Sequence, residues 1–103
     1  MNAVELLRER IVFSETAFSG AAFAELVLWH VPISVAGSTH RFKYRLAYVV
    51  KGCCVVRYDN EAGQGDHRHW NGKQFAYRFH SPERLIAVFQ RDIARWNREN
   101  RHA

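Results

Sequence analysis

The sequence contains little cysteine and little proline. Among its 103 residues are two cysteines and two prolines. Cys53 and Cys54 are adjacent, so in a strand they point to opposite faces and do not readily pair with each other. A disulfide framework is therefore excluded, and a reducing cytoplasm is favoured. Both cysteines are predicted to be small apolar residues of a buried strand.

Long apolar stretches are also missing. No apolar run approaches the roughly 20 residues that a transmembrane helix needs. Charged residues, among them Glu5 and Arg8, interrupt the apolar positions at the start of the chain and argue against a secretory signal peptide. With 48% apolar residues, we expect one ordered domain over residues 1–103, soluble and cytoplasmic, with no membrane partner.

Negative charge is in the minority. The chain carries 15 Lys and Arg residues against 10 Asp and Glu residues, which gives a formal net charge of +5. A basic surface favours an anionic partner, namely nucleic acid, an acidic protein or, less often, a membrane surface.

A series of short strands is predicted over residues 7–13, 22–31, 40–50, 53–60, 66–70 and 73–79. Residues 4–13 also fit a short helix, and the β-branched and aromatic residues at their end favour the strand. Small and polar residues at 14–20 predict a turn, and Pro32 ends the second strand because proline cannot donate to a ladder. The alternation is clearest in the third strand, whose predicted core face consists of Phe42, Tyr44, Leu46, Tyr48 and Val50.

Two dipeptides predict tight hairpins, Lys51-Gly52 and Asn71-Gly72. The second hairpin places His67 and His69 on one face and Asp66, Arg68 and Trp70 on the other. The first would gather several polar side chains beside the loop at 61–65. Its predicted cross-strand pairs are Val50 with Cys53, Arg45 with Tyr58, and Lys43 with Asn60.

A C-terminal helix is predicted from Ser81 onward. Ser81 is a suitable N-cap, Pro82 suits the first helical position, and Glu83 complements the helix dipole. An apolar stripe should pack on the sheet, and the opposite face is basic. The predicted fold class is α+β, an antiparallel meander of about six strands with one C-terminal helix packed on a face. The stripe consists of Leu85, Phe89, Ile93 and Trp96, and the basic face of Arg84, Arg91, Arg95 and Arg98.

Residues 57–69 form the stretch richest in groups that move protons or hold phosphate. His67 and His69 are two residues apart on a predicted strand, about 7 Å between Cα atoms. That spacing lets one act as base and the other as acid across a phosphodiester, without a metal or another cofactor. The residues predicted to act in catalysis are His67, His69, Asp66 and Asp59. Those predicted to contact nucleic acid are Lys43, Arg45, Arg57, Arg68, Tyr58, Asn60, His40 and Arg41.

Other interpretations of this stretch stay open. The two histidines with Asp59, Glu61 or Asp66 form an acceptable ligand set for zinc or manganese, which would make the protein a metal-dependent nuclease. Asp and Asn residues also commonly cap turns without any further function. A non-enzymatic protein that blocks a nucleic-acid or protein partner is a third alternative.

Several motifs together resemble the TumE family of toxins from bacterial and archaeal toxin–antitoxin pairs. They are Gly-Ser-Thr-His-Arg-Phe-Lys-Tyr-Arg-Leu at 37–46 and Arg-Tyr-Asp-Asn-Glu-Ala-Gly-Gln-Gly-Asp-His-Arg-His at 57–69. Segments 29–32 and 77–82 extend the resemblance, which covers about residues 7–96. Two departures are a long connection at 14–22, which makes an irregular first hairpin the expectation, and Gln64 where a lysine would be more usual.

The resemblance implies a small cytoplasmic toxin encoded beside an antitoxin, which is often a DNA-binding protein. It supplies no catalytic residue. Combined with the histidine pair, it predicts a toxin that acts on RNA as a metal-independent ribonuclease. The expected partners are the antitoxin and RNA, and an exposed edge strand or the basic helix face leaves a homodimer open.

Overall fold

The computed structural model describes residues 2–13 and 21–100. The strands form one antiparallel sheet of six strands in sequence order, followed by a helix. The predicted α+β meander is therefore confirmed, whereas the turn predicted at 14–20 lies outside the described residues. The elements are β1 Val4–Phe13, β2 Ala22–His30, β3 Phe42–Val50, β4 Cys53–Asp59, β5 His67–Trp70, β6 Lys73–Ala76 and α1 Pro82–Asn100.

Both predicted hairpin turns are present, and their backbones explain the residue types. Lys51 and Gly52 have φ values of 51° and 79°, and Asn71 and Gly72 have φ values of 49° and 82°. Two successive residues with positive φ are typical of type I′ turns, whose twist matches that of the flanking strands. The register of β5 and β6 follows as predicted, with His67 opposite Ala76 and His69 opposite Gln74.

The register of β3 and β4 differs from the prediction after the first pairs. Val50 lies opposite Cys53 as expected, but the register shifts between Tyr48 and Val49, so that Arg45 lies opposite Asp59 and not Tyr58. A β-bulge with one extra residue on β4 causes this shift. Because side chains alternate with period two, it moves Tyr58 and Asn60 to the face opposite Arg45.

The cysteines also differ from the prediction. Both are free and exposed rather than buried. They directly follow the Lys51-Gly52 turn at the end of the sheet, and the core begins further along β4, at Val56.

The helix packs on β3 and β4 through its apolar stripe. Its N-terminus has the predicted cap, since the Ser81 hydroxyl accepts a hydrogen bond from the Arg84 amide at 3.1 Å. Leu85 and Phe89 are fully buried against the sheet. Within residues 2–13 and 21–100, no helix combines the length and apolar character that a membrane span requires.

The sheet thus has two different faces. The helix face carries the core side chains, such as Tyr48 and Tyr58, which bond to α1 through Asn97 and Asp92. Alternate residues, such as Arg45, point to the other side, which we call the open face. No element among the described residues packs over it.

Candidate active site

One group of the predicted site residues lies together on the open face. Asp59 is directly opposite Arg45 on β3 and His67 on β5, and Arg57 is directly opposite His69. Directly paired residues of antiparallel strands share a face, so these side chains form two adjoining rows. We call the set the open-face cluster, which consists of Lys43, Arg45, Arg57, Asp59, His67 and His69.

Arg57 connects the two halves of the open-face cluster. Its Nε atom forms a 2.7 Å ion pair with Asp59, and its terminal nitrogen lies 3.0 Å from Nε2 of His69. Guanidinium can only donate, so the His69 Nε2 atom accepts this bond and its ring proton resides on Nδ1. Asp59 therefore orients Arg57, and Arg57 in turn fixes the tautomer of His69.

His67 has the opposite tautomer. Its Nδ1 atom lies 3.1 Å from the Gly65 carbonyl oxygen, which can only accept, so Nδ1 carries the proton. Among the described residues, nothing is hydrogen-bonded to the Nε2 atom of His67. The lone pair on Nε2 is therefore available to accept a proton, as a general base requires.

The pKa of His69 is lowered from 6.5, chiefly because burial disfavours the charged ring and further because Arg57 and His67 are nearby, while Asp59 opposes the shift. His69 is consequently neutral at neutral pH in the free protein. Its neutral form also accounts for the bond that it accepts from Arg57.

Lowering the pH should destabilise the fold through His69. The folded-state pKa of His69 lies below the usual value of 6.5. The contribution of His69 to the free energy of unfolding is therefore complete above pH 6.5 and is lost as the pH falls. In His69→Gln the side-chain oxygen can still accept from Arg57 but does not titrate. We expect the free energy of unfolding, measured in urea between about pH 7.5 and pH 5, to fall less steeply in this variant. The exposed His30→Gln serves as control, and equal slopes in wild type and His69→Gln would contradict the prediction.

A second group of predicted site residues lies on the helix face, away from the open-face cluster. Asp66 accepts hydrogen bonds from the Ser38 and Tyr44 hydroxyls, each at 2.6 Å, and from His40 Nε2 at 2.7 Å. His40 in turn accepts the Phe42 amide at Nδ1 and stacks on Phe79 at a centroid distance of 3.8 Å. This network fixes the side chains of Asp66 and His40, and in the described structure neither side chain is hydrogen-bonded to the ring of His67 or His69.

The loops that carry this network also touch through their backbones. Gly37 has a φ of +86°, and a Cβ there would clash with the backbone nitrogen of Gly65. Only glycine allows this approach. The contact holds the loop before β3 against the loop that precedes β5.

Asn60 and Arg68 are likewise engaged on the helix face. Fully buried Asn60 accepts the Tyr44 amide at 3.0 Å and donates to the Phe42 carbonyl at 2.8 Å. Arg68 donates to Asp92 at 2.7 Å and to the Tyr58 hydroxyl at 3.1 Å. The predicted grouping of Lys43 and Arg45 with Tyr58 and Asn60 is therefore wrong, because the bulge separates the pairs. Arg41 is exposed just before β3.

Sequence reasoning missed Asp92, the buried partner of Arg68. Asp92 is only 2% exposed and accepts from both Tyr58 and Arg68. A signal was available, since Asp92 lies between Phe89 and Trp96 on the apolar stripe of α1. A carboxylate at such a position requires a buried hydrogen-bonding partner.

The histidine pair has few candidate metal ligands around it. Across residues 2–13 and 21–100, no three His, Cys, Asp or Glu side chains form a group that could hold a metal ion. Asp66, which the sequence offered as a possible ligand beside the pair, lies on the helix face, where it binds Tyr44. The nearest carboxylate in register with His67 is Asp59, which is paired with Arg57.

Comparison with protein-family models identifies a family for this chain. A protein-family model described as toxin TumE matches residues 3–97. No curated protein and no solved structure matches the chain. The family model spans every strand and nearly all of α1. The chain therefore belongs to the TumE family of toxins.

Proposed function

We propose that this protein is the toxin of a toxin–antitoxin pair and cleaves RNA in the cytoplasm without a metal, using the open-face cluster. The observation that carries the proposal is the placement of both histidines beside Arg45, Arg57 and Asp59 on one uncovered face of the sheet. Membership of the toxin family implies an antitoxin partner, and a DNA-binding antitoxin forms part of the proposal.

His67 is the general base. Its Nε2 atom takes the proton of a ribose 2′-hydroxyl, whose oxygen attacks the adjacent phosphorus. A bond from O2′ to phosphorus forms, the bond from phosphorus to O5′ breaks, and the products are a 2′,3′-cyclic phosphate and a free 5′-hydroxyl. The hydrogen bond from Nδ1 to Gly65 holds the ring in the tautomer that this step needs.

His69 is the general acid, and substrate binding prepares it for this role. A phosphate beside His69 favours the protonated ring, which counteracts the lowered pKa of the free protein. Protonated His69 can no longer accept from Arg57, so Arg57 becomes free to bind the phosphate. His69 then donates its Nε2 proton to the leaving O5′ atom.

Positive charge on the same face stabilises the reaction. Arg45 and Lys43 lie on β3 beside the row of Asp59 and His67. Together with Arg57 they provide donors for the oxygens on which charge develops in the transition state. Asp59 keeps Arg57 in position. Asp66 and Arg68, which are engaged on the helix face, take no part in the chemical step.

The test is incubation of the purified protein with total cellular RNA, with and without EDTA. We expect cleavage in both conditions and none with His67→Ala/His69→Ala. The matched control is His30→Ala/His80→Ala, which removes two exposed histidines outside the open-face cluster and should cleave normally. Cleavage that EDTA abolishes would contradict the metal-independent step. Absence of cleavage by the wild-type protein would overturn the nuclease and favour a non-enzymatic binder.

A further inference from the structure

The helix face has a cationic groove that the proposed reaction does not use. A cleft of about 470 Å³ lies between α1 and the sheet near β5. Among the described residues, four arginines line it, and Asp92 is the one carboxylate. We call it the arginine groove, defined by Arg68, Arg91, Arg95 and Arg98.

About half of the positive charge of the arginine groove is not neutralised, because in the described part of the chain its four arginines pair with two carboxylates. Asp92 accepts from Arg68 at 2.7 Å and lies 4.0 Å from Arg91, while Arg95 pairs with the exposed Glu99. Within residues 2–13 and 21–100, Arg98 has no ion pair. Arg91, Arg95 and Arg98 follow one another at intervals of four and three residues, so they form a row about 10 Å long on α1.

Aromatic rings lie directly beside these charges. The Arg95 guanidinium is 4.6 Å from the centre of the Trp70 ring, and that of Arg68 is 5.1 Å from the same ring. Arg68 is also 5.7 Å from the ring of Phe75, which is 45% exposed although it is a large apolar side chain. Alternating cations and accessible rings are typical of surfaces that bind a single nucleic-acid strand, since the cations follow the phosphates and the rings stack on bases.

A buried hydroxyl also lines the arginine groove. The Oη atom of Tyr77 is buried and has no hydrogen-bond partner in the described part of the chain. Burial is the main cause that raises the pKa of Tyr77, so its phenol stays protonated and can donate. A buried donor without a partner is costly, and a phosphate oxygen in the groove would satisfy it.

We infer that the arginine groove binds the backbone of a single RNA strand, with bases stacked on Phe75 and Trp70. This inference rests on the proposed function in that the ligand is RNA. The groove and the open-face cluster lie on opposite faces of the sheet, near its β6 edge. All four residues of β6 are exposed, so one strand can pass around this edge and contact both faces. The groove thereby binds a part of the RNA strand that lies away from the phosphodiester that is cleaved.

The test measures binding separately from cleavage. A fluorescein-labelled 15-nucleotide RNA is titrated by anisotropy against the His67→Ala/His69→Ala protein, which leaves the probe intact. Adding Arg91→Gln/Arg98→Gln should weaken binding about tenfold at low salt. It should also reduce the slope of log K against log salt concentration by about 1.4, or 0.7 per lost phosphate contact. Phe75→Ala should weaken binding about fivefold or more.

The matched control is Arg8→Gln/Arg10→Gln, which removes the same charge from β1, at the far edge of the sheet. An equal loss of RNA affinity in the control and the groove variant would overturn the inference. It would show that binding depends on the total positive charge of the protein and not on the arginine groove. An unchanged salt slope would overturn it as well. A ten-residue oligoglutamate that binds the groove when the RNA does not would assign the groove to an acidic protein segment instead.

The two proposals fail separately. Cleavage of total RNA by the wild-type chain tests the open-face cluster, whereas anisotropy with the histidine-free protein tests the arginine groove. RNA binding that depends on Arg91 and Arg98 without any cleavage would support the groove and overturn the nuclease. If the wild-type protein cleaves RNA and the groove variants bind RNA as well as their parent protein does, the nuclease is supported and the groove is overturned.

Discussion

His67→Ala is expected to lower the rate of RNA cleavage by about 10²–10⁴-fold, the usual contribution of a positioned general base. The ring of His67 is the one in the open-face cluster whose Nε2 lone pair is available in the free protein, because its Nδ1 proton is bound to Gly65. His67 is only half-buried on an uncovered face, so the fold should tolerate the change. Single-turnover cleavage of a short defined RNA measures the effect.

His67→Gln separates positioning from proton transfer. Its side-chain amide can still donate to the Gly65 carbonyl, but glutamine does not titrate near neutral pH. It should therefore be as inactive as His67→Ala, because an amide cannot accept the proton of the 2′-hydroxyl. Cleavage activity that survives in His67→Gln would show that His67 only positions the loop through its hydrogen bond to Gly65. It would contradict the assignment of His67 as the general base.

Asp66→Ala is expected to lower the free energy of unfolding by about 3 kcal/mol, since it leaves several donors without a partner at about 1–3 kcal/mol for each one buried. Fully buried Tyr44 loses the acceptor of its hydroxyl, and Ser38 and His40 lose theirs. The same change would release the loop that contains Gly37. Urea denaturation followed by tryptophan fluorescence measures the loss.

Asp66→Asn and Asp59→Ala are the matched controls. Asparagine can keep an acceptor oxygen toward His40 and Tyr44 but then presents its amide to the Ser38 hydroxyl, so an intermediate loss is expected. Asp59 lies on the open face, where its removal frees Arg57 to contact water, and should cost less than Asp66→Ala. A stable but inactive Asp66→Ala protein would contradict the structural role and return Asp66 to the histidine chemistry that the sequence predicted.

The differences between sequence and structure trace to contacts between distant segments. Alternation along the third strand correctly predicted that Tyr44, Leu46 and Tyr48 face the core. The pairing with β4 was wrong beyond the first residues, because one bulged residue changes every later pair and nothing local in the sequence marks it. The bulge determines which side chain lies beside Arg45 on the open face, namely Asp59 and not Tyr58.

Acidic residues were the hardest to interpret from sequence. Asp59 and Asp66 flank the same loop and look equivalent as candidates to orient a histidine. In the fold, Asp59 pairs with Arg57 on the open face, while Asp66 binds Ser38, His40 and Tyr44 on the helix face. The partners of Asp66 lie more than 20 positions away in the chain, and composition does not reveal them.

The sequence alone determined the elements, the order of the strands and the placement of His67 and His69 on one face. These follow from short-range geometry, namely the period of two along a strand, the positive φ of the hairpin turns and the cap at Ser81. Only the tertiary structure decided which side chains join the histidines and which serve the core. That choice depends on strand register and on the packing of α1, and both arise from contacts between residues far apart in the chain.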